Sequence, residues 1–305
     1  MPTVHNGGLV VGVELGGTKI VVASSVAGHT VETIRSIATA DPDSTLSEVR
    51  AAIAEVADSR DIGAIGIGSF GPVDLRVTSP RHGEILASPK QDWVGTNVIR
   101  GLTKGLDCDV RLDTDVNAAL IAETSLGAAR SHNNVAYLTV GTGVGGGLFV
   151  EGRVLHGSGH PEIGHIRVPR RPGESHNSVC PFHDDCLEGM ISGTAIQQRT
   201  GRRAEDLGEQ TDEIMGLVAW YVASGIANLC AVVPVDVVVI GGGVSRLPGL
   251  HRAVASNLEE ASGTYPPIPF ADGGPAIVAP EFGDRSGIIG AILLAEGPIR
   301  GSEAS

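Results

Sequence analysis

The chain has 305 residues, 42% of them apolar and 19% charged, with a formal charge of −13 and four cysteines. Single cores stop growing at about 250–300 residues, so two lobes are expected. The acidic balance excludes binding to a nucleic-acid backbone, which needs basic patches, and so few cysteines exclude a secreted disulfide framework.

The first apolar run, residues 9–13, is strand-length and leads into a glycine turn, so no export signal is read. No stretch reaches the ~18–20 apolar residues of a membrane span. A cytoplasmic protein with neither membrane nor nucleic-acid partner is expected. The 43 glycines cluster in short runs rather than spreading as a linker would.

Strands are predicted at Leu9–Glu14 and Ile20–Ser24, joined by the turn ELGGTK (14–19). After a polar stretch, a helix is predicted over about Ser44–Asp58, capped by Asp43 or Ser44, with Leu46, Val49, Ile53 and Val56 on its apolar face. Ile62–Ile67 reads as a buried strand ending in Gly68-Ser69-Phe70-Gly71-Pro72. Val110–Leu112 is a short strand running into Asp113–Asn117 and an Ala-rich helix to about Leu126. The pattern then returns. A strand at Val135–Val140 leads into a glycine turn over Gly141–Gly147 and a partner strand at Leu148–Val150. A long helix is predicted at Met215–Val233 and a buried strand at Val235–Ile240, which leaves through Gly241-Gly242-Gly243. The first hairpins of the two sets lie about 125 residues apart and the later strands about 173, which implies an internal repeat with one insertion of about 50 residues. Parallel strands with glycine turns at their ends imply ligand binding at those ends.

Gly16 and Gly17 allow backbone N–H groups to approach an anion, Thr18 adds a hydroxyl donor and Lys19 a positive charge. The pattern is not that of a P-loop, and alone it reads equally as a plain hairpin turn. A second loop in the other half, with Gly141, Thr142 and Gly143, favours two lobes that hold a polyphosphate. In the third loop, Gly242 and Gly243 leave room for a flat group against the backbone, or for close strand–helix packing. Asp115 starts a helix at a strand end, where a general base for an alcohol is expected, with Asn117 as a neighbouring polar contact. One of Asp113, Thr114 and Asp115 is expected to cap that helix. Cys180, His183 and Cys186 recur at three-residue spacing downstream of HPEIGH (160–165). Two thiolates and two imidazoles make a closed tetrahedral zinc set, hence a structural ion and not a water-activating one. His165 is the preferred fourth ligand over His156, His160 and His176, and Glu162 and Glu188 are interleaved with the ligands.

Taken together, GGTK (16–19), SFGPV (69–73), TDVN (114–117), GTGVGGG (141–147), HPEIGH (160–165), CPFHDDCLEG (180–189) and GGGV (241–244) resemble the ROK family of sugar kinases and related repressors. The likeness covers nearly the whole chain, and the TDVN, HPEIGH and CPFHDDCLEG forms look most like its zinc-containing bacterial fructokinases. The resemblance implies an α/β, actin-like ATPase (ribonuclease H-like) duplicated fold of two lobes with a cleft between. The implied division is a small lobe over 1–113, a large lobe over 114–284 with a zinc insertion at about 156–190, and a C-terminal helix at 285–297 returning to the small lobe. It further implies ATP-dependent transfer of the γ-phosphoryl group to the 6-hydroxyl of D-fructose, with Mg²⁺ bridging the β- and γ-phosphates. Asp115 would be the base. Gly71, Pro72, Asn117, Glu162, His165 and Glu188 would bind sugar, His165 also holding zinc. Gly16, Gly17, Thr18, Lys19, Gly141, Thr142 and Gly143 would hold phosphates, with Gly242 and Gly243 near adenosine. A homodimer is implied as well.

Two departures from the family pattern stand out. Glu14 replaces the usual Asp before the first glycine turn, and Thr114 replaces the usual Asn before the base. Competing expectations are a glucokinase, mannokinase or N-acetylmannosamine kinase, a sugar-sensing regulator without a DNA-binding domain, and a zinc hydrolase. The last needs an open metal position that this ligand set does not leave. The C-terminal GPIRGSEAS is expected to fray.

Overall fold

Among the described residues, two five-stranded mixed sheets form the fold, and both follow the same path. The structure is a computed structural model that describes residues 8–26, 30–262 and 275–297. The tail expected to fray lies, after Gly297, outside the described residues. In the first sheet, β1 (Leu9–Leu15), β2 (Lys19–Val26), β3 (Thr30–Ala38), β4 (Ile62–Ser69) and β5 (Asp109–Thr114) lie in the order β3-β2-β1-β4-β5. β1, β2 and β3 are antiparallel, whereas β4 and β5 run parallel to β1, with Val13 opposite Val22 and Ile67, and Ile67 opposite Leu112. The third strand falls in the stretch read from sequence as merely polar. Its edge position explains the miss, since Ile34 is exposed while Ile37 packs on the core.

Helix α1 (Pro42–Ala57) covers one face of this sheet and buries Leu46, Val49, Ile53 and Val56, the four residues of the predicted stripe. Its cap is Asp41, not Asp43 or Ser44: the Asp41 carboxylate accepts from Ser44 N at 3.0 Å, and Pro42 takes the first helical position, where no N–H is needed. The short α2 (Val98–Leu102) and Trp93 complete that core. α3 (Asp115–Ser125) follows β5 directly, and the C-terminal helix (Ser286–Glu296) covers the opposite sheet face with Ile288 and Ile292. Each fully buried Ile or Val here contributes on the order of 1.5–3 kcal/mol. Close approach of that helix requires glycine. A Cβ on Gly66 would run into the Ala291 carbonyl, and one on Gly290 into the Ala118 carbonyl.

In the second sheet, β6 (Val135–Val140), β7 (Val144–Val150), β8 (Arg153–Val154), β9 (Val237–Gly241) and β10 (Ala276–Val278) lie in the order β10-β9-β6-β7-β8, which repeats the first when read from β8. Only residues 39–41 separate β3 from α1, whereas residues 155–210 separate β8 from α6 (Thr211–Cys230). That longer connection holds α4 (Leu187–Ile191) and α5 (Gly193–Thr200), and α7 (Leu250–Ser262) lies between β9 and β10. The largest shifts from the sequence boundaries are at the glycine turn and at α6. The glycine turn spans 141–143 alone, because Gly145, Gly146 and Gly147 are strand residues of β7 opposite Thr139, Leu138 and Tyr137. Gly146 is a packing glycine: its Cβ would come 2.7 Å from Ile163 Cδ1. α6 starts earlier and ends at Cys230, short of the residue before Pro234, which disfavours helix.

By length and hydropathy α6 could cross a membrane, contrary to the sequence reading, yet 72% of its apolar window is buried in this fold. It packs in the core with Leu138, Ile240 and Leu250.

By contacts the chain forms two compact units. One comprises the chain to Ser125, Arg153–His160 and the chain from Arg285, and the other Leu126–Gly152 and Pro161–Asp284. The division falls after Ser125 and not at 113, because α3 packs on the C-terminal helix, α8.

Candidate active site and metal centre

In the first unit the β1–β2 turn is closed by Gly16 N donating to Lys19 O at 3.1 Å, and a Cβ on Gly16 would sit 2.5 Å from that oxygen. Thr39 Oγ1 donates to Gly16 O at 2.8 Å, and Thr18 and Lys19 remain exposed. Sequence reasoning missed a second cation here. Lys90 Cε lies 3.5 Å from the Cβ position of Gly17, with its Nζ 5.9 Å from the Phe70 ring, which meets Trp93 edge-on. Residues 88–91 carry no glycine run or periodicity that would have marked it. Gly71 and Pro72, joined by a cis peptide, follow β4, and His160 fills the space beside Gly71, 3.1 Å from its Cβ position. Val73 N donates to His160 Nε2 at 3.4 Å.

Asp115 is the first residue of α3 and is half-buried. Of the three capping candidates Thr114 fills the role, its Oγ1 accepting from Asn117 N at 3.0 Å, while Asp115 Oδ1 accepts from Val116 N at 2.9 Å. Asp113 is buried and accepts from Thr114 N (2.8 Å), Asn117 Nδ2 (2.7 Å) and His156 Nε2 (2.9 Å). The hydrogen bond to Asp113, reinforced by that carboxylate's charge, holds the His156 imidazole above its ordinary pKa against partial desolvation of a side chain that is still 40% exposed. Asn117, read from sequence as a polar contact beside Asp115, is 1% exposed, and its amide is engaged by Asp113.

In the second unit the 141–143 and 241–243 turns adjoin: the Cβ position of Gly141 is 4.0 Å from Gly243 N. Gly193 N and Thr194 Oγ1, at the start of α5, donate to the Gly141 and Thr142 carbonyls at 2.6 and 2.9 Å. Gly242 has φ +89°, and a Cβ there would come 2.5 Å from Val140 O. Glu188, in the first turn of α4, accepts from Val144 N at 2.9 Å, and its Oε2 lies 2.6 Å from the Cβ position of Gly143. Gly141, Thr142, Gly143, Glu188 and Gly243 therefore come together. Glu162 is exposed and precedes a 3₁₀ turn over Ile163–His165, where Gly164 lies against the Val144 carbonyl.

The ligand atoms of His165, Cys180, His183 and Cys186 all lie within 4.8 Å of one another. Cys180 Sγ is 3.8 Å from His165 Nδ1 and 3.6 Å from His183 Nδ1. Zinc bonds of about 2.3 Å to sulfur and 2.0–2.1 Å to nitrogen set tetrahedral S···N edges of about 3.5 Å, so the cluster can hold such an ion. Burial pushes the Cys186 thiol up to about 11, so a thiolate there needs a cation beside it. Backbone N–H groups of Gly189 and Phe182 point at the two sulfurs, and Ser178 Oγ braces the loop through His183 O. Of the competing histidines, His156 pairs with Asp113, His160 lies beside Gly71 and His176 is exposed.

The duplicated sheets, with a hairpin and a parallel pair in each, define an actin-like ATPase fold. The ROK family model matches residues 10–297, and the chain belongs to the ROK family. It is 35% identical to a putative fructokinase of Bacillus subtilis over 96% of this chain and 97% of that one. Identity to a fructokinase of Zymomonas mobilis is also 35%, over 93% of this chain and 95% of that one. Among solved structures, a ROK family glucokinase from Streptomyces griseus in complex with glucose and AMPPNP superposes with a TM-score of 0.78. It shares 24% identity, over 94% of this chain and 99% of that one.

Proposed function

We propose that the protein is an ATP-dependent sugar kinase that transfers the γ-phosphoryl group to the 6-hydroxyl of D-fructose. The observation that carries this reading is Asp115 at the head of α3, fixed in a dense polar turn, in a chain matched end to end by fructokinases. Asp115 accepts the proton of the attacking hydroxyl, a role worth roughly 10²–10⁴-fold in rate. Gly71, Pro72, Asn117, Glu162, His165 and Glu188 are the sugar-binding set, Asn117 acting from its buried position. Gly16, Gly17, Thr18, Lys19, Gly141, Thr142 and Gly143 take the phosphates, with Lys90 as an added cation. Gly242 and Gly243 lie by the adenosine. AMPPNP in the glucokinase neighbour supports ATP as donor. Mg²⁺ would supply charge neutralisation on the phosphates, and zinc held by His165, Cys180, His183 and Cys186 would supply rigidity to the segment that leads into α4 and Glu188. The protein works as a cytoplasmic homodimer.

Glucose, mannose or N-acetylmannosamine is the alternative acceptor, favoured by the glucose-bound neighbour. A panel of free hexoses with Mg-ATP, read by product ADP, separates the two. Fructose as the sugar of highest kcat/KM supports the proposal, and glucose or an amino sugar in that place replaces fructose.

A further inference from the structure

The most heavily bonded polar group beside Asp115 is one that no motif marks. Asp113 is 4% exposed and uses both carboxylate oxygens. Oδ1 accepts from Thr114 N and Asn117 Nδ2 and so holds the turn that presents Asp115. Oδ2 accepts from His156 Nε2 at 2.9 Å, across 43 positions in sequence. Among the described residues Asn117 Oδ1 is buried without a hydrogen-bond partner, so Asp113, and not the carbonyl end, dictates which way that amide faces. We infer that His156 is a positioning residue for phosphoryl transfer, an inference that rests on the kinase reading: by pairing with Asp113 it fixes the turn under Asp115 and neutralises the charge next to the base.

The physical need is plain. Asp113 and Asp115 are two residues apart, and a like charge nearby disfavours the ionised carboxylate that a base must be. His156 supplies the compensating cation, because its bond to Asp113 favours the imidazolium, helped by a backbone bond at Val154. The other titratable groups on the surrounding elements are Asp109 and Arg111 of β5, Glu123 of α3, Glu296 of α8 and Glu14 of β1. β4 has none, and Arg153 and His160 share the His156 segment. Arg111 is engaged by the Leu294 carbonyl and Glu123 by Ser286 Oγ. The charge that acts on His156 is that of Asp113.

The test is the pH profile of kcat/KM for the sugar at saturating ATP, with thermal unfolding and zinc content checking each variant's fold. In His156→Gln the acid limb moves to higher pH, because Asp113 is left uncompensated. In Asp113→Asn it moves to lower pH, because the like charge is gone. His156→Lys, which keeps a cation, brings the limb back toward the wild-type position. Both losses lower kcat by roughly tenfold or more, with KM for ATP nearly unchanged. Independently of turnover, the NMR titration of His156 falls toward the ordinary imidazole range in Asp113→Asn. Limbs that stay in place or move the same way in both variants overturn the positioning role while the kinase reading stands. A wild-type protein that phosphorylates no hexose overturns both.

Discussion

The Cys/His cluster and the turn beneath Asp115 are both small polar assemblies, but they are built in opposite ways. The cluster gathers four ligands from one stretch, His165 to Cys186, around a space that an ion can fill. The turn at Asp113 closes on itself, with every oxygen of the carboxylate met by a protein donor and one partner brought from 43 positions away. A metal centre can be written locally because the ion supplies the cohesion. A buried carboxylate needs the tertiary fold to deliver its donors, since a charge removed from water is stable only when fully hydrogen-bonded.

The largest effect that separates them is expected from Cys186→Ser. Losing a buried ligand of the set should reduce zinc affinity beyond the roughly 10–100-fold typical of changes outside the coordinating shell, measured by competition with a chromophoric chelator. Asp113 and its partners should be untouched, and an unchanged His156 titration in this variant checks that the two assemblies are independent. Next comes Gly290→Ala, which sets a methyl against the Ala118 carbonyl where α3 meets the C-terminal helix. Overpacking there should cost about 1–3 kcal/mol in chemical denaturation and leave zinc content alone. Thr114→Ala removes the cap of α3 and should cost about 1 kcal/mol.

The smallest effect is the pH dependence of the His156–Asp113 pair. The folded pKa of His156 is raised, so its contribution is fully present below the unfolded value of about 6.5 and is lost as pH rises through the folded value. The stability gap between wild type and His156→Gln should therefore be wider at about pH 6 than at about pH 9. A gap that widens with pH would contradict the imidazolium assignment.

The same contrast explains what could be read from the chain beforehand. Cys180, His183 and Cys186 announce themselves by spacing, and Leu46, Val49, Ile53 and Val56 by helical period, because both signals are local. The hairpin–helix–strand repeat was legible for the same reason. Long-range relations were not. His156 could be read only as a spare zinc ligand, since nothing near it in sequence reveals Asp113. Gly145–Gly147 looked like a turn because their strand pairing with β6 and the packing of Gly146 on Ile163 leave no local mark in sequence. Lys90 carried no local signal, although it lies beside the first glycine turn. The edge strand β3 passed as polar chain because, of its described side chains, only Val31 and Ile37 pack against a core.

If Asp115 is the base of a sugar kinase, the kcat of Asp115→Asn with fructose and Mg-ATP must collapse while the fold persists. The expected loss is at least about 10²–10⁴-fold, with zinc content and thermal unfolding unchanged. Turnover within a few-fold of wild type would remove Asp115 from the chemistry.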